Sequence, residues 1–224
     1  SLAAMGYQEF GRRLAGEFGD SLPPGVVLVP STAHYSWEKI CRALGIGSAQ
    51  LVHVPVDSRF RMDTAALEEM LRAMAARHQP VMACVSVIGT TEESAVDRLD
   101  RIVEVRGRVG RELGLAFHLH ADAAWGGYAA SITRAAGGAR RSHADALRDS
   151  SPETWPREGV FSSLCALEAT DSVTIDPHKL GGVPYPAGAI AFRDRRVRDL
   201  VFGGGHSGQS AFCQRPITNS RRVE

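Results

Sequence analysis

Lys179 stands in the segment DPHKLGG, directly after the β-rich run DSVTID, and only it and Lys39 are lysines among the 26 basic residues. The others are arginines, whose guanidinium keeps its proton, so each lysine marks a place where a deprotonatable amine could be required. At a strand end, beside His178 and ahead of Gly181 and Gly182, such an amine can approach a carbonyl compound and form a Schiff base. Asp122 closes the run LAFHLHAD and is followed by Ala123 and Ala124, small enough for a flat ring to lie against the backbone. A buried carboxylate there can pair with a protonated pyridine nitrogen and keep that ring cationic. His34, after VVLVP and at the head of HYSWEK, can stack on the outer face of an aromatic ring, and Thr91 in GTTEE can hydrogen-bond at the same rim.

Each residue taken alone also has an ordinary reading. A lysine on a turn is usually solvated, a strand-end aspartate often caps the next turn, and a threonine in a turn commonly serves only that turn. A metal reading exists as well, because His118, His120 and Asp122 alternate along one strand and share a face. That face would lie inside a buried sheet, and metal ligands usually converge from several elements, so no metal is expected.

Composition narrows the classes. The 224 residues are 44% hydrophobic, enough for a real core, and 26 basic residues against 25 acidic ones leave a formal charge of +1. No strong field favours nucleic acid or an anionic membrane. No apolar run approaches the roughly 18 to 20 residues of a membrane span, and the start SLAAMGYQEFGRR lacks a signal-peptide pattern, so a cytoplasmic location is expected. Cys41, Cys84, Cys165 and Cys213 are widely spaced without a CxxC pair, which reads as reduced structural thiols.

Short runs rich in Val, Ile, Leu and Phe at 25–30, 50–56, 80–87, 115–122, 171–176 and 188–192 predict buried strands. Between them, 36–44 predicts a helix stopped by Gly45, and Asp63 or Thr64 caps another running to about Arg77. A third spans Asp97 to Leu113, with Leu99, Ile102, Val103, Val109 and Leu113 apolar and Gly114 as its stop. The alternation predicts an α/β fold, a mainly parallel sheet flanked by helices on both faces. Residues 131–156 read as an irregular insertion, and the tail from Gly203 is polar and glycine-rich. In such a sheet ligands bind beyond the carboxyl ends of the strands, and four of the strand runs are followed there by VPSTAHYSWEK, SVIGTTEE, HLHADAAWGGY and TIDPHKLGG.

The order of these segments, with VDSRFRMD and IDPHKLGGVPYPAGAI, resembles the group II pyridoxal-phosphate-dependent amino acid decarboxylases. The bacterial tyrosine-decarboxylase-like branch is the nearest in pattern, over about Val29 to Phe192. The resemblance implies a partial large domain of a fold-type-I enzyme across 1–224, pyridoxal 5'-phosphate as cofactor, and conversion of an L-amino acid to its amine and carbon dioxide. Tyrosine or another aromatic acid is the preferred substrate, and the full-length protein would be a homodimer. The family's N-terminal phosphate-binding segment and small C-terminal domain are not visible in this sequence.

Carried over by position, Lys179 matches the Schiff-base lysine and Asp122 the pyridinium partner. His34 matches the stacking histidine, Thr91 the hydrogen-bonding residue near the ring hydroxyl, Ala124 the alanine beneath the ring, and His178 the lysine's neighbour toward the phosphate. Lys179 and His34 are the residues assigned to catalysis. The alternatives are another fold-type-I lyase or aldolase using the same two anchors, or a non-catalytic remnant.

Overall fold

In the computed structural model the described residues are 10–17, 23–150 and 155–197. Six strands form one sheet: β1 (Val26–Pro30), β2 (Leu51–Val54), β3 (Val81–Val87), β4 (His118–Asp122), β5 (Ser172–Ile175) and β6 (Ala189–Phe192). Their spatial order is β2-β1-β3-β4-β5-β6, parallel throughout except that β6 runs antiparallel to β5. Each expected strand run contains one of these strands, but the run at 188–192 is not buried as expected: β6 is an edge strand paired on one side only, and Ala189, Ile190 and Ala191 are exposed. Chain direction across the sheet reverses between β1 and β3, and a crevice at that switch is where such sheets bind ligands.

Local chemistry accounts for the helices between them: α1 (Ser36–Ala43), α2 (Thr64–Ala76), α3 (Leu99–Leu113), α4 (His143–Arg148) and α5 (Glu158–Ala166). Helix α1 ends where Gly45 takes a left-handed φ of +70°, a geometry that costs glycine little. Asp63 caps α2 by accepting from the backbone N–H groups of Ala65 and Ala66, and Leu67, Leu71 and Met74 line its buried side. Helix α3 starts after Asp97 and buries Leu99, Ile102, Val105 and Val109. Val103 only borders the core and Leu113 is exposed, so the buried stripe turns toward Val105 rather than along the line expected from the sequence.

Two apolar layers result. One face of the sheet packs on α2, α3 and α5 through Leu28, Val54, Cys84, Leu119 and their helical partners. The other carries Val27, Val29 and Val85 against Cys41 and Trp37 of α1. Within 131–156 the described residues include an isolated bridge between Arg134 and Arg140 and the short helix α4, closed at its start by a Ser142–Asp145 capping box. Neither α4 nor α5 was legible in the sequence reading. The glycine-rich tail from Gly203 and Cys213 lie outside the described residues. No described helix is long and apolar enough to cross a membrane.

Candidate active site

The strand tips are stitched together by backbone hydrogen bonds. Asp122 and Thr174 are register partners on β4 and β5. The Ala123 N–H donates to the Thr174 carbonyl at 3.1 Å, and the Asp176 N–H donates to the Ala124 carbonyl at 3.2 Å. The turn that carries Lys179 therefore runs directly beside the Asp122–Ala124 segment. On the other side, the Ile88 N–H donates to the Asp122 carbonyl and the Gly126 N–H donates to the Ile88 carbonyl, both at 2.9 Å, tying in the loop that holds Thr91.

Glycine makes these approaches possible. A Cβ on Gly126 would run into the Ile88 carbonyl oxygen, and one on Gly181 would sit 2.7 Å from the Tyr128 ring. Gly126→Ala is therefore expected to destabilise the protein by about 2 to 3 kcal/mol in urea unfolding, through overpacking against backbone. Gly110 gives the contrast, because it is exposed in α3 and its nearest neighbour beyond the helix is 3.6 Å away. Gly110→Ala should instead stabilise by about 0.5 to 1 kcal/mol.

Asp122 is half-buried, and its oxygens are engaged by neutral donors. The Trp37 indole Nε1–H donates to Oδ2 at 3.1 Å and the Ala124 N–H to Oδ1 at 3.3 Å. Among the described residues no cation pairs with this carboxylate. Lys179 is also half-buried, and its Nζ lies 3.0 Å from Asp176 Oδ2 rather than on Asp122. Ala123 is fully buried and Ala124 half-buried.

The remaining sequence candidates have different surroundings. His34 is exposed just before α1. Its Nδ1 accepts from the Ser36 N–H at 3.3 Å and lies 2.9 Å from Ser36 Oγ, so a neutral ring carries its proton on Nε2. The Tyr35 ring is 4.1 Å away, centroid to centroid. Thr91 is exposed and makes no hydrogen bond among the described residues, whereas its neighbour Thr90 is buried and serves the turn through Glu93 and the Ala95 N–H. His178 is exposed and its Nδ1 lies 2.6 Å from the Ala187 carbonyl oxygen and 3.4 Å from the Ala187 nitrogen, which fixes it to the chain entering β6.

The histidines of β4 are used within the sheet. His118 Nε2 and His120 Nδ1 both lie 2.7 Å from Ser172 Oγ, and His120 Nε2 lies 3.1 Å from Thr174 Oγ1. Burial holds the His120 imidazole below its usual pKa, which favours the neutral ring despite the Asp122 charge nearby. Among the described residues no group of three or more His, Cys, Asp or Glu is arranged to hold a metal ion. Trp37 was missed by sequence reasoning. No local spacing signals it, because its partner Asp122 lies 85 positions away and is reached through the packing of α1 on the sheet.

Comparison with known proteins places this geometry in context. The chain is 41% identical over 184 residues to the L-tyrosine decarboxylase of Levilactobacillus brevis, a match covering 79% of the chain and 29% of that relative. It is 35% identical over 197 residues to a probable L-tyrosine/L-aspartate decarboxylase of Methanopyrus kandleri, covering 85% of the chain and 43% of that relative. The crystal structure of mouse CSAD superposes with a TM-score of 0.56 at 28% identity, covering 87% of this chain and 35% of that one. The chain thus spans less than half the length of these relatives. The pyridoxal-dependent decarboxylase conserved domain matches residues 19–140, a stretch that takes in His34, Thr91, Asp122 and Ala124 and ends before Lys179. With more than half of its residues inside that match, the chain belongs to the pyridoxal-dependent decarboxylase family.

Proposed function

We propose that this chain is part of the large domain of a pyridoxal-phosphate-dependent decarboxylase that converts an L-amino acid, tyrosine or another aromatic acid first, to its amine and carbon dioxide. The observation that carries the reading is the pairing of Asp122 with Thr174 at adjacent strand tips, with Lys179 on the turn leaving β5. The donor set fits the cofactor: a half-buried amine, a carboxylate held among the described residues by neutral N–H donors, and small alanines directly after that carboxylate. A carboxylate that no cation of the described residues neutralises can attract a ligand cation.

Pyridoxal phosphate, when bound, supplies an electron sink for the pair released as the substrate carboxylate departs. The chain's own residues would do the positioning. Lys179 would hold the cofactor's aldehyde carbon and must first give up Asp176 and a proton. Asp122 would hold a proton at the ring nitrogen through its charge. Ala124 would leave room for a flat ring, His34 would cover the opposite face, Thr91 would offer its hydroxyl at the rim, and His178 would flank the phosphate end. The net reaction takes up one proton at the carbon that loses carbon dioxide.

The proposal includes a homodimer of the full-length protein in the cytoplasm, without nucleic-acid or membrane partners. Tyr35, Ile40 and Leu44 are exposed on and around α1, beside His34, and give a second copy an apolar surface to cover. The test is carbon dioxide release from a panel of L-amino acids by protein loaded with pyridoxal phosphate. Release is expected, strongest with tyrosine or another aromatic acid. Retro-aldol products without carbon dioxide would assign the site to the lyase and aldolase alternative, and no product from any acid would overturn the reading.

A further inference from the structure

The Asp122 carboxylate is gripped from beneath the sheet tips by a residue 85 positions away in sequence. Trp37 packs against the cluster of Val27, Val29, Cys41, Leu51 and Val85, and from there its indole N–H reaches Asp122 Oδ2 at 3.1 Å. Its ring meets His120 edge-on, with centroids 5.6 Å apart and planes at 63°. His120 is fixed in turn by Ser172 and Thr174, so the indole is backed by a ring that cannot swing away.

We propose that Trp37 is a positioning residue that fixes the orientation of the Asp122 carboxylate toward a protonated nitrogen of an aromatic heterocycle. This rests on the function proposed above. Indole suits the task because it offers one donor, no acceptor and no charge. An arginine or lysine at the same place would neutralise the carboxylate and remove its attraction for a ligand cation, whereas an aliphatic residue would leave Oδ2 free to rotate. A carboxylate has about four lone-pair sites, and the indole and the Ala124 N–H use two, leaving acceptor capacity for a third partner.

The test replaces Trp37 with 3-benzothienylalanine, which keeps the bicyclic shape and removes the N–H, alongside Trp37→Phe. In ligand-free protein the Trp37 indole N–H resonance is expected to be shifted downfield and slow to exchange, and to lose both properties in Asp122→Ala. An unmoved resonance would overturn the contact. With pyridoxal phosphate as probe, the benzothienyl variant should bind about tenfold more weakly, the size expected for a hydrogen bond to a charged group, and its visible absorption band should shift. In the Asp122→Ala background the same replacement should change affinity by less than about twofold, because the partner is gone. Affinity and spectrum equal to wild type in the benzothienyl variant would overturn the proposal. If the wild-type protein itself forms no adduct at Lys179, the functional reading fails and takes the ligand half of this proposal with it. The indole resonance then still decides whether Trp37 holds the carboxylate.

Discussion

Lys179→Arg is expected to abolish borohydride trapping of pyridoxal phosphate while leaving the fold intact. Lysine at this position sits 3.0 Å from Asp176, and a guanidinium can take over that ion pair. It cannot lose its proton at any ordinary pH, so it preserves the charge and removes the nucleophile. Lys179→Ala should also lose the adduct but leaves Asp176 without its partner, which makes arginine the cleaner probe. Carbon dioxide release from the preferred amino acid should fall by about a thousandfold or more in both, as when a group that forms a covalent bond is removed. Mass spectrometry of the reduced, digested protein reads the result directly. The only other lysine is an internal control: Lys39 is exposed, with its Nζ 4.3 Å from the Tyr35 ring centroid, and Lys39→Arg should trap normally. An adduct mapped to Lys39, or one that survives in Lys179→Arg, would contradict the assignment.

Asp97→Ala should cost about 2 to 5 kcal/mol of stability, because one fully buried carboxyl holds two segments that are distant in sequence. Its Oδ1 accepts from the Met62 N–H at 2.6 Å and its Oδ2 from the Val87 N–H at 2.7 Å, joining the chain before α2 to the end of β3. Removal leaves both donors buried without an acceptor. Burial, opposed by those two hydrogen bonds, raises this carboxyl to about 6 from an ordinary value of 3.8. A raised acid binds more protons in the folded state than in the unfolded one, so its contribution is fully present below pH 4 and declines as pH rises to about 6. The decline amounts to about 3 kcal/mol. His120, whose pKa is lowered, contributes with the opposite sign over part of this range. The informative quantity is therefore the difference in urea stability between wild type and Asp97→Asn as a function of pH. It should change steadily between pH 4 and 6 and flatten above. A difference independent of pH would show that Asp97 does not titrate there.

The elements that sequence made legible are those whose signals are local. Gly45 and Gly114 stop helices because a left-handed φ is inexpensive for glycine, and Asp63 caps α2 because its carboxylate reaches the first free N–H groups. The strands declared themselves as short runs of branched residues, but their burial did not follow in every case, because β6 is an exposed edge strand. Helices α4 and α5 did not, because α4 has only six residues and α5 mixes Gly, Ser and Cys into its apolar face. Similarly, the core side of α3 could be predicted as a stripe, but the choice of Val105 over Val103 depends on the angle at which the helix meets α2 and α5.

For the site, the groups on offer are legible along the chain alone: a scarce lysine in DPHKLGG, an aspartate before two alanines, and histidine and threonine after other strand runs, in an order that resembles one enzyme family. What each group touches is set by the folded arrangement. Asp122 is bound by Trp37 and the Ala124 N–H, Lys179 is paired with Asp176, Thr91 is exposed while Thr90 serves the turn, and the β4 histidines are committed to Ser172 and Thr174. The physical reason is that side-chain partners come from register between strands and from the packing of α1 on the sheet. The contacts of Asp122 with Trp37 and of the β4 histidines with Ser172 and Thr174 join residues 52 to 85 positions apart and no local pattern in the chain encodes them, whereas the Lys179–Asp176 and Thr90–Glu93 contacts are local.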